Sequence, residues 1–315
     1  MNAKAQLVKY WLKNEAKLMK KRFRIKVNFE LQDNGNTLTL EPTNELIACA
    51  IRDGRPLMVA RYGSNEGRLT ADVMAVKLGI KKKVNKVYFN AVCSNAGFFP
   101  NSPDMAIKFG ELMTKCSKNV DVLGHWDFYY SDYLADCVCR QDVKLTRLRN
   151  LEPYCSEHPW SSALKGKKVV VVHPFDKQII HQYEKRDSLF SNKQVLPEFN
   201  LRVVKAVQTI AGEKDSRFDT WFDALQYMYD EVMSEPFDVA IIGCGAYGFP
   251  LASMIKDAGK VAIHLGGATQ LLFGIMGKRW EDRDYVKALL NDSWEYPDPE
   301  FKPKNADKVE NGCYW

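Results

Sequence analysis

Three segments of this 315-residue sequence bring together residue types that do chemistry. The first is Arg61-Tyr62-Gly63-Ser64-Asn65-Glu66-Gly67-Arg68. Its glycines permit a tight strand-to-helix turn, with the opposite charges of Arg61 and Glu66 at the rim. Glu66 could hold a metal, orient a hydroxyl or act as a base; its plainer role is a first-turn acid complementing the helix dipole, with Arg61 as ion-pair partner. The second is Gly243-Cys244-Gly245-Ala246-Tyr247-Gly248, a GxGxxG after an apolar run and before a helical pattern. Such glycines let backbone N–H groups approach a phosphate at a helix start, or are simply loop glycines. The third is His264-Leu265-Gly266-Gly267-Ala268-Thr269-Gln270, followed by Lys278, Arg279 and Trp280. A Gly-Gly turn beside a basic pair suits an anion; a lone strand-end histidine is equally a hydrogen-bonded core residue.

A dinucleotide fold would place Asp or Glu about 20 residues beyond the glycine loop, to hold a ribose hydroxyl. His264 stands there, which argues against NAD. Asp282-Arg283-Asp284 has the DxD form of a metal motif, but it follows no apolar strand and opens a helical pattern, so capping explains it better. Trp126 and Trp280 could stack on a base or sugar, or belong to the core.

The elements that must position these residues alternate along the chain. Apolar strands are expected at 56–62, 86–92, 120–125, 167–173, 201–208, 237–242 and 260–265. Helical patterns fall at 43–52, from about Ser64, and at 103–118, 175–190, 217–234 and 249–258. Strands this apolar are buried on both faces, so the expected fold is α/β: a Rossmann-like, doubly wound parallel sheet with helices on both faces. Ligands in such sheets bind beyond the carboxyl ends of the strands. Those ends also supply His125-Trp126-Asp127, His173-Pro174 and Gln208-Thr209. Residues 25–40 alternate around Asp33-Asn34-Gly35-Asn36 and suggest a small β-hairpin. Residues 150–165 are the best candidate for an internal linker. The expected organisation is an arm over 1–40, a catalytic domain over 41–290 and a tail over 291–315, whose terminal Tyr314-Trp315 should dock.

Composition excludes disorder, collagen and a disulfide scaffold: 46% of residues are hydrophobic and 27% charged. The net charge of +6 is too mild to argue for nucleic acid. It is also uneven. The first 26 residues hold nine basic side chains against Glu15, so residues 27–315 sum to −2. Leu7, Tyr10, Trp11, Leu18 and Met19 fall roughly on one face of a helix ringed by lysines, the pattern of a membrane-surface helix or of one docked on its own core. The eight cysteines form no CxxC pair and complete no zinc set, so reduced thiols in a cytoplasmic protein are expected. Lys4 and Lys9 flank too short an apolar stretch for a secretion signal. The uncharged stretches 87–103, 239–255 and 261–277 are broken by glycines and are not expected to span a membrane.

Taken together, the three segments resemble the GT-D-type glycosyltransferases, Rossmann-like enzymes of bacterial surface-glycan assembly. The resemblance covers about residues 55–280. The family's first motif reads Arg-Phe-Gly-Asp-Gly-Glu; Arg61, Gly63 and Glu66 match it, while Ser64 and Asn65 replace the aspartate and second glycine. The resemblance implies a transferase moving a sugar from a nucleotide-sugar to a glycan or lipid-linked acceptor in surface polysaccharide biosynthesis. Glu66 and Arg61 would be catalytic. Gly63, Ser64, Asn65, Gly243, Gly245, Tyr247, Gly248, His264, Gly266, Gly267, Gln270, Lys278 and Arg279 would bind the donor. A divalent cation (Mn²⁺ or Mg²⁺) would sit at Glu66, although serine is a poor substitute for a carboxylate on a hard cation. The basic arm would keep the cytoplasmic enzyme at the inner face of an anionic plasma membrane. Two other classes compete: a nucleotide-dependent Rossmann oxidoreductase, and a non-catalytic membrane-associated binding protein.

Overall fold

The computed structural model describes residues 2–23, 31, 35–213, 215–308 and 312–315. Its strands are β1 (Thr37–Leu38), β2 (Leu57–Ala60), β3 (Val122–His125), β4 (Lys144–Arg147), β5 (Lys168–His173), β6 (Asn200–Lys205), β7 (Val239–Ile242) and β8 (Val261–His264). They form one sheet of order β1-β4-β3-β2-β8-β7-β5-β6, with every pair parallel. The helices are α1 (Ala3–Arg22), α2 (Leu40–Asp53), α3 (Ser64–Lys77), α4 (Lys86–Ala96), α5 (Pro103–Ser117), α6 (Ser131–Tyr133), α7 (Asp176–Glu184), α8 (Arg186–Leu189), α9 (Trp221–Met233), α10 (Gly248–Asp257), α11 (Ala268–Leu272) and α12 (Asp284–Lys287).

Alternation along the central strands divides the core in two. Met58, Ala60, Val170, Val172, Ala240, Ile242 and Ala262 face one side, against residues of α3, α4, α5, α9 and α10. Leu57, Val59, Val169, Val171, Val239, Ile241, Val261 and Ile263 face the other, against α2, α7, α11 and the C-terminal segment. Both sets are buried, which is why these strands read as unbroken apolar runs.

Strand order reverses where β7 meets β5. The chain leaves β7 toward β8 on one side and leaves β5 toward β6 on the other. The loops leaving neighbouring strands then diverge and open a crevice at the carboxyl edge. His173-Pro174 and residues 243–245 leave the sheet there, and residues 264–267 and 61–66 leave it from β8 and β2, the next two strands beyond β7.

Two expectations are corrected. Residues 86–92 are not a strand but part of α4: Asn85 caps its start, accepting from Val87 N at 2.9 Å, and Gly97 ends it at φ 73°. The buried Phe89, Val92 and Ala96 follow helical spacing. Residues 150–165 are not a linker either. Trp160 is wholly buried, its backbone N–H donates to Asn44 Oδ1 at 2.9 Å, and its indole N–H donates to the Leu151 carbonyl at 2.9 Å. The first arm of the expected hairpin lies mostly outside the described residues; its second arm, β1, pairs in parallel with β4 at the sheet edge.

α1 docks on the segment after β3. Leu7 is buried, Tyr10 donates to Asp136 at 2.5 Å, Lys13 pairs with Asp132 at 3.0 Å and Lys21 with Asp127 at 3.1 Å. At the other end of the chain the two terminal aromatics also dock. The Trp315 indole donates to the Phe301 carbonyl at 3.3 Å.

Candidate active site at the carboxyl edge of the sheet

A cavity of about 170 Å³ lies over the carboxyl ends of β2, β5, β6, β7 and β8. Its wall contains Arg61, Gly63, Ser64, Asn65 and Glu66 from the first segment, Gly245 and Tyr247 from the second, and His264, Gly266, Gly267, Gln270 and Arg279 from the third. Three stretches, the first about 180 residues of chain before the other two, therefore face one space. Gly243, Gly248 and Lys278 do not line it. Its charged side chains are Arg61, Glu66 and Arg279, an excess of positive charge suited to an anion.

The turn after β2 is built around Glu66. Gly63 caps α3, and the Glu66 carboxylate folds back over it so closely that a Cβ on Gly63 would collide with the carboxylate oxygens. Tyr62, by contrast, points into the core, stacked on Phe249 at 4.5 Å and bonded to Ser117. Its carbonyl accepts from the Trp126 indole at 2.9 Å. Trp126 in turn carries the Arg61 guanidinium over its ring at 5.5 Å. Gly266 completes the arrangement: a Cβ there would lie 3.4 Å from the Arg61 side chain. Arg61 is thus held between an aromatic face and a bare backbone.

The glycine-rich segment divides its labour differently from the expectation. Gly243 makes room for His173 and Thr269, each within 2.7 Å of where its Cβ would be. Gly248 makes room for the His264 ring, whose Cε1 and Nδ1 would collide with a Cβ there. Only Gly245, at φ 59° and with open space around it, presents backbone to the cavity. Tyr247 lines the wall but is a core residue, stacked on Trp221 at 4.6 Å with its hydroxyl 3.0 Å from that of Thr209.

Two buried histidines face the cavity, His173 and His264. Burial pushes both pKa values down to about 3, so each is neutral near pH 7; beside His264, Arg61 acts in the same direction. His173 Nδ1 accepts from the Phe175 N–H at 3.1 Å, which places its proton on Nε2. His264 Nδ1 lies 3.3 Å from the Ile242 carbonyl, which only accepts, so its proton is on Nδ1 and Nε2 is bare. The pair thus offers one N–H donor and one nitrogen acceptor.

The C-terminal residues were not foreseen as site residues, although docking of the tail was. Tyr314 and Trp315 line the cavity. Arg279 donates to the Tyr314 hydroxyl at 2.7 Å and stacks over its ring at 4.5 Å. Gln270 is a strut of this wall: its amide donates to the Met276 carbonyl at 2.9 Å and the Tyr314 carbonyl at 3.3 Å. Gly267 leaves room for the Tyr314 ring. Asn95 and Ala96 also reach the wall, from the helix read as a strand. Of the other strand ends, Trp126, His173, Pro174, Gln208 and Thr209 line the cavity, whereas Asp127 pairs with Lys21 of α1 and His125 with Asp132 of α6.

A second, larger cavity of about 680 Å³ shares Arg61, Gly267 and Arg279 with the first. Its rim includes Asp282, Arg283 and Asp284, with Arg149 over the Tyr285 ring at 4.0 Å. In its wall, burial pushes the Glu152 carboxyl up to about 7, opposed by nearby tyrosine hydroxyls, Arg149 and Arg61.

The donor set does not make a metal cage. Glu66 is the one carboxylate in the first cavity, and among the described residues no three His, Cys, Asp or Glu side chains converge as ligands. Positive charge at the site comes from arginine.

The fold is an α/β sheet of eight parallel strands covered by helices on both faces, with a cavity at its order-reversal point. No family model matches the chain, and no curated protein matches it. Among solved structures, it is similar to one described as the highly conserved domain of unknown function 1792 with a distinct glycosyltransferase fold. That likeness has 11% identity and a TM-score of 0.41, covering 73% of this chain and 78% of the other. A selenomethionine-substituted structure of the same domain gives 11% identity and 0.41, over 74% and 78%. A likeness of this size does not by itself assign a function.

Proposed function

We propose that the chain is a glycosyltransferase that transfers a sugar from a nucleotide-sugar to a glycan or lipid-linked acceptor in surface polysaccharide biosynthesis. The observation that carries this reading is the convergence of the Arg61–Glu66 turn, Gly245 and the His264–Arg279 stretch on one cavity at the carboxyl edge of the sheet.

The division into two cavities fits such a substrate. The first is smaller than the 300–1,000 Å³ or so of ordinary ligand sites, so it would enclose part of a nucleotide-sugar, and the rest would extend into the second. Arg61 and Arg279, at the junction, would hold the diphosphate and stabilise the negative charge that develops as it leaves. The Gly245 backbone would approach it without a side chain in the way. Glu66, fixed by Gly63 and the start of α3, would orient a sugar hydroxyl or take the acceptor proton. His173 and His264 would discriminate among hydroxyls by their opposite hydrogen-bonding roles. No step requires a metal, and Mn²⁺ belongs in the assay as a separate arm.

The test is release of labelled sugar from a panel of nucleotide-sugars by the wild type and by Glu66→Gln. The expected result is a loss of at least about a hundredfold in turnover, with an unchanged melting temperature. Full activity in Glu66→Gln contradicts the assignment.

A further inference from the structure

α1 has two different faces, and only one is used by the protein. Toward the body, Leu7 and Asn14 are buried, Tyr10 holds Asp136, and Lys13, Lys17 and Lys21 are paired with Asp127 and Asp132. Outward lie Trp11, Leu12, Leu18, Met19 and Phe23, between 45% and 74% exposed. Among the described residues eight large hydrophobic side chains are exposed to that degree, and five of them fall within these 13 positions. At about 100° per residue they occupy a sector of about 140°. Such a concentration on one helix face marks an interaction surface rather than scattered surface apolarity.

The charges around this sector identify what it meets. Lys4, Lys9, Lys20 and Arg22 are exposed along its length and borders. Glu15, the helix's own acid and the one acid within the sector, is half-buried and accepts a hydrogen bond from the Tyr129 hydroxyl, so its charge is engaged by the body. A second copy of the chain would bring these same cations against one another. An anionic bilayer would meet both features, headgroups with the cations and acyl chains with the apolar side chains.

We propose that the outward face of α1 is an interfacial anchor for an anionic lipid surface. The helix lies in the membrane plane, while its paired lysines stay locked to the protein body. This holds whatever the cavity binds.

Full-length protein is sedimented with phosphatidylcholine vesicles and with vesicles containing phosphatidylglycerol, at low and high salt. The expected result is roughly tenfold greater binding to the anionic vesicles, reduced by salt. Two variants should lose it, Trp11→Ser/Leu18→Ser/Met19→Ser and Lys4→Glu/Lys9→Glu/Lys20→Glu/Arg22→Glu, each retaining the wild-type melting temperature because the residues are exposed. Absence of wild-type binding to anionic vesicles overturns the proposal, as does undiminished binding by either folded variant. So does a dimer in light scattering that the serine variant converts to monomer. Should the variants fail to fold, wild-type binding to the anionic vesicles and its salt dependence still decide.

Discussion

Glu152 and the two cavity histidines pull the stability of the protein in opposite directions as pH changes. Each histidine has a folded pKa below its ordinary value, so the unfolded chain binds more protons between about pH 3 and 6.5, and stability rises with pH through that window. Glu152 is the reverse. Its carboxyl rises from 4.5 to about 7 in the fold, so its contribution is fully present below 4.5 and is lost as pH rises through 7. Glu152→Gln should match the wild type below pH 4.5 and be more stable above pH 7, by up to about 3 kcal/mol at about 1.4 kcal/mol per pH unit. Urea unfolding of both proteins across that range checks this; parallel curves would contradict it. A steric prediction applies at Gly248. An alanine Cβ would occupy the space of the His264 ring, so Gly248→Ala should destabilise by about 1–3 kcal/mol in the same assay and displace a cavity residue. Ala at Gly245 meets no neighbour and should cost only its left-handed backbone, about 1–2 kcal/mol. The residue types at the site were legible in the sequence because chemistry restricts them. Their division of labour was not, because whether a glycine serves a ligand or a neighbouring ring depends on contacts such as Gly248 with His264.

Among the elements, α4 shows what local reading misses. Its apolar run resembles a buried strand, and only the Asn85 cap, the Gly97 stop and the spacing of Phe89, Val92 and Ala96 mark a helix. Asn85→Ala should cost about 1 kcal/mol by loss of the cap, measured by denaturant midpoint; no change would mean the cap bond contributes nothing. The strands leading to the site were legible for the opposite reason. Fully buried parallel strands such as β5 and β7 have no polar face to blur their apolar runs. The 150–165 segment looked like a linker because it is polar and proline-containing. Its burial rests on partners distant in sequence, Asn44 above all, which no window of sequence contains.

Over the whole molecule, the terminal segments join the body at the site. α1 pairs with Asp127, one residue from Trp126 in the cavity wall, and the C-terminal Tyr314 and Trp315 form another part of that wall. Deleting Tyr314 and Trp315 should therefore weaken nucleotide-sugar binding. Among the described residues no helix is long and apolar enough to cross a membrane. We propose that the arginine-bounded cavities hold a nucleoside-diphosphate sugar. The most direct test is a thermal-shift panel of nucleotide-sugars and free nucleotides, each with and without Mn²⁺, on the wild type and on Arg61→Ala/Arg279→Ala. At a ligand concentration a hundredfold above Kd, binding adds about 2.7 kcal/mol of stability. The expected result is a rise of several degrees for at least one nucleotide-sugar in the wild type and none in the double variant. No shift with any nucleotide, or an equal shift in the variant, would contradict it.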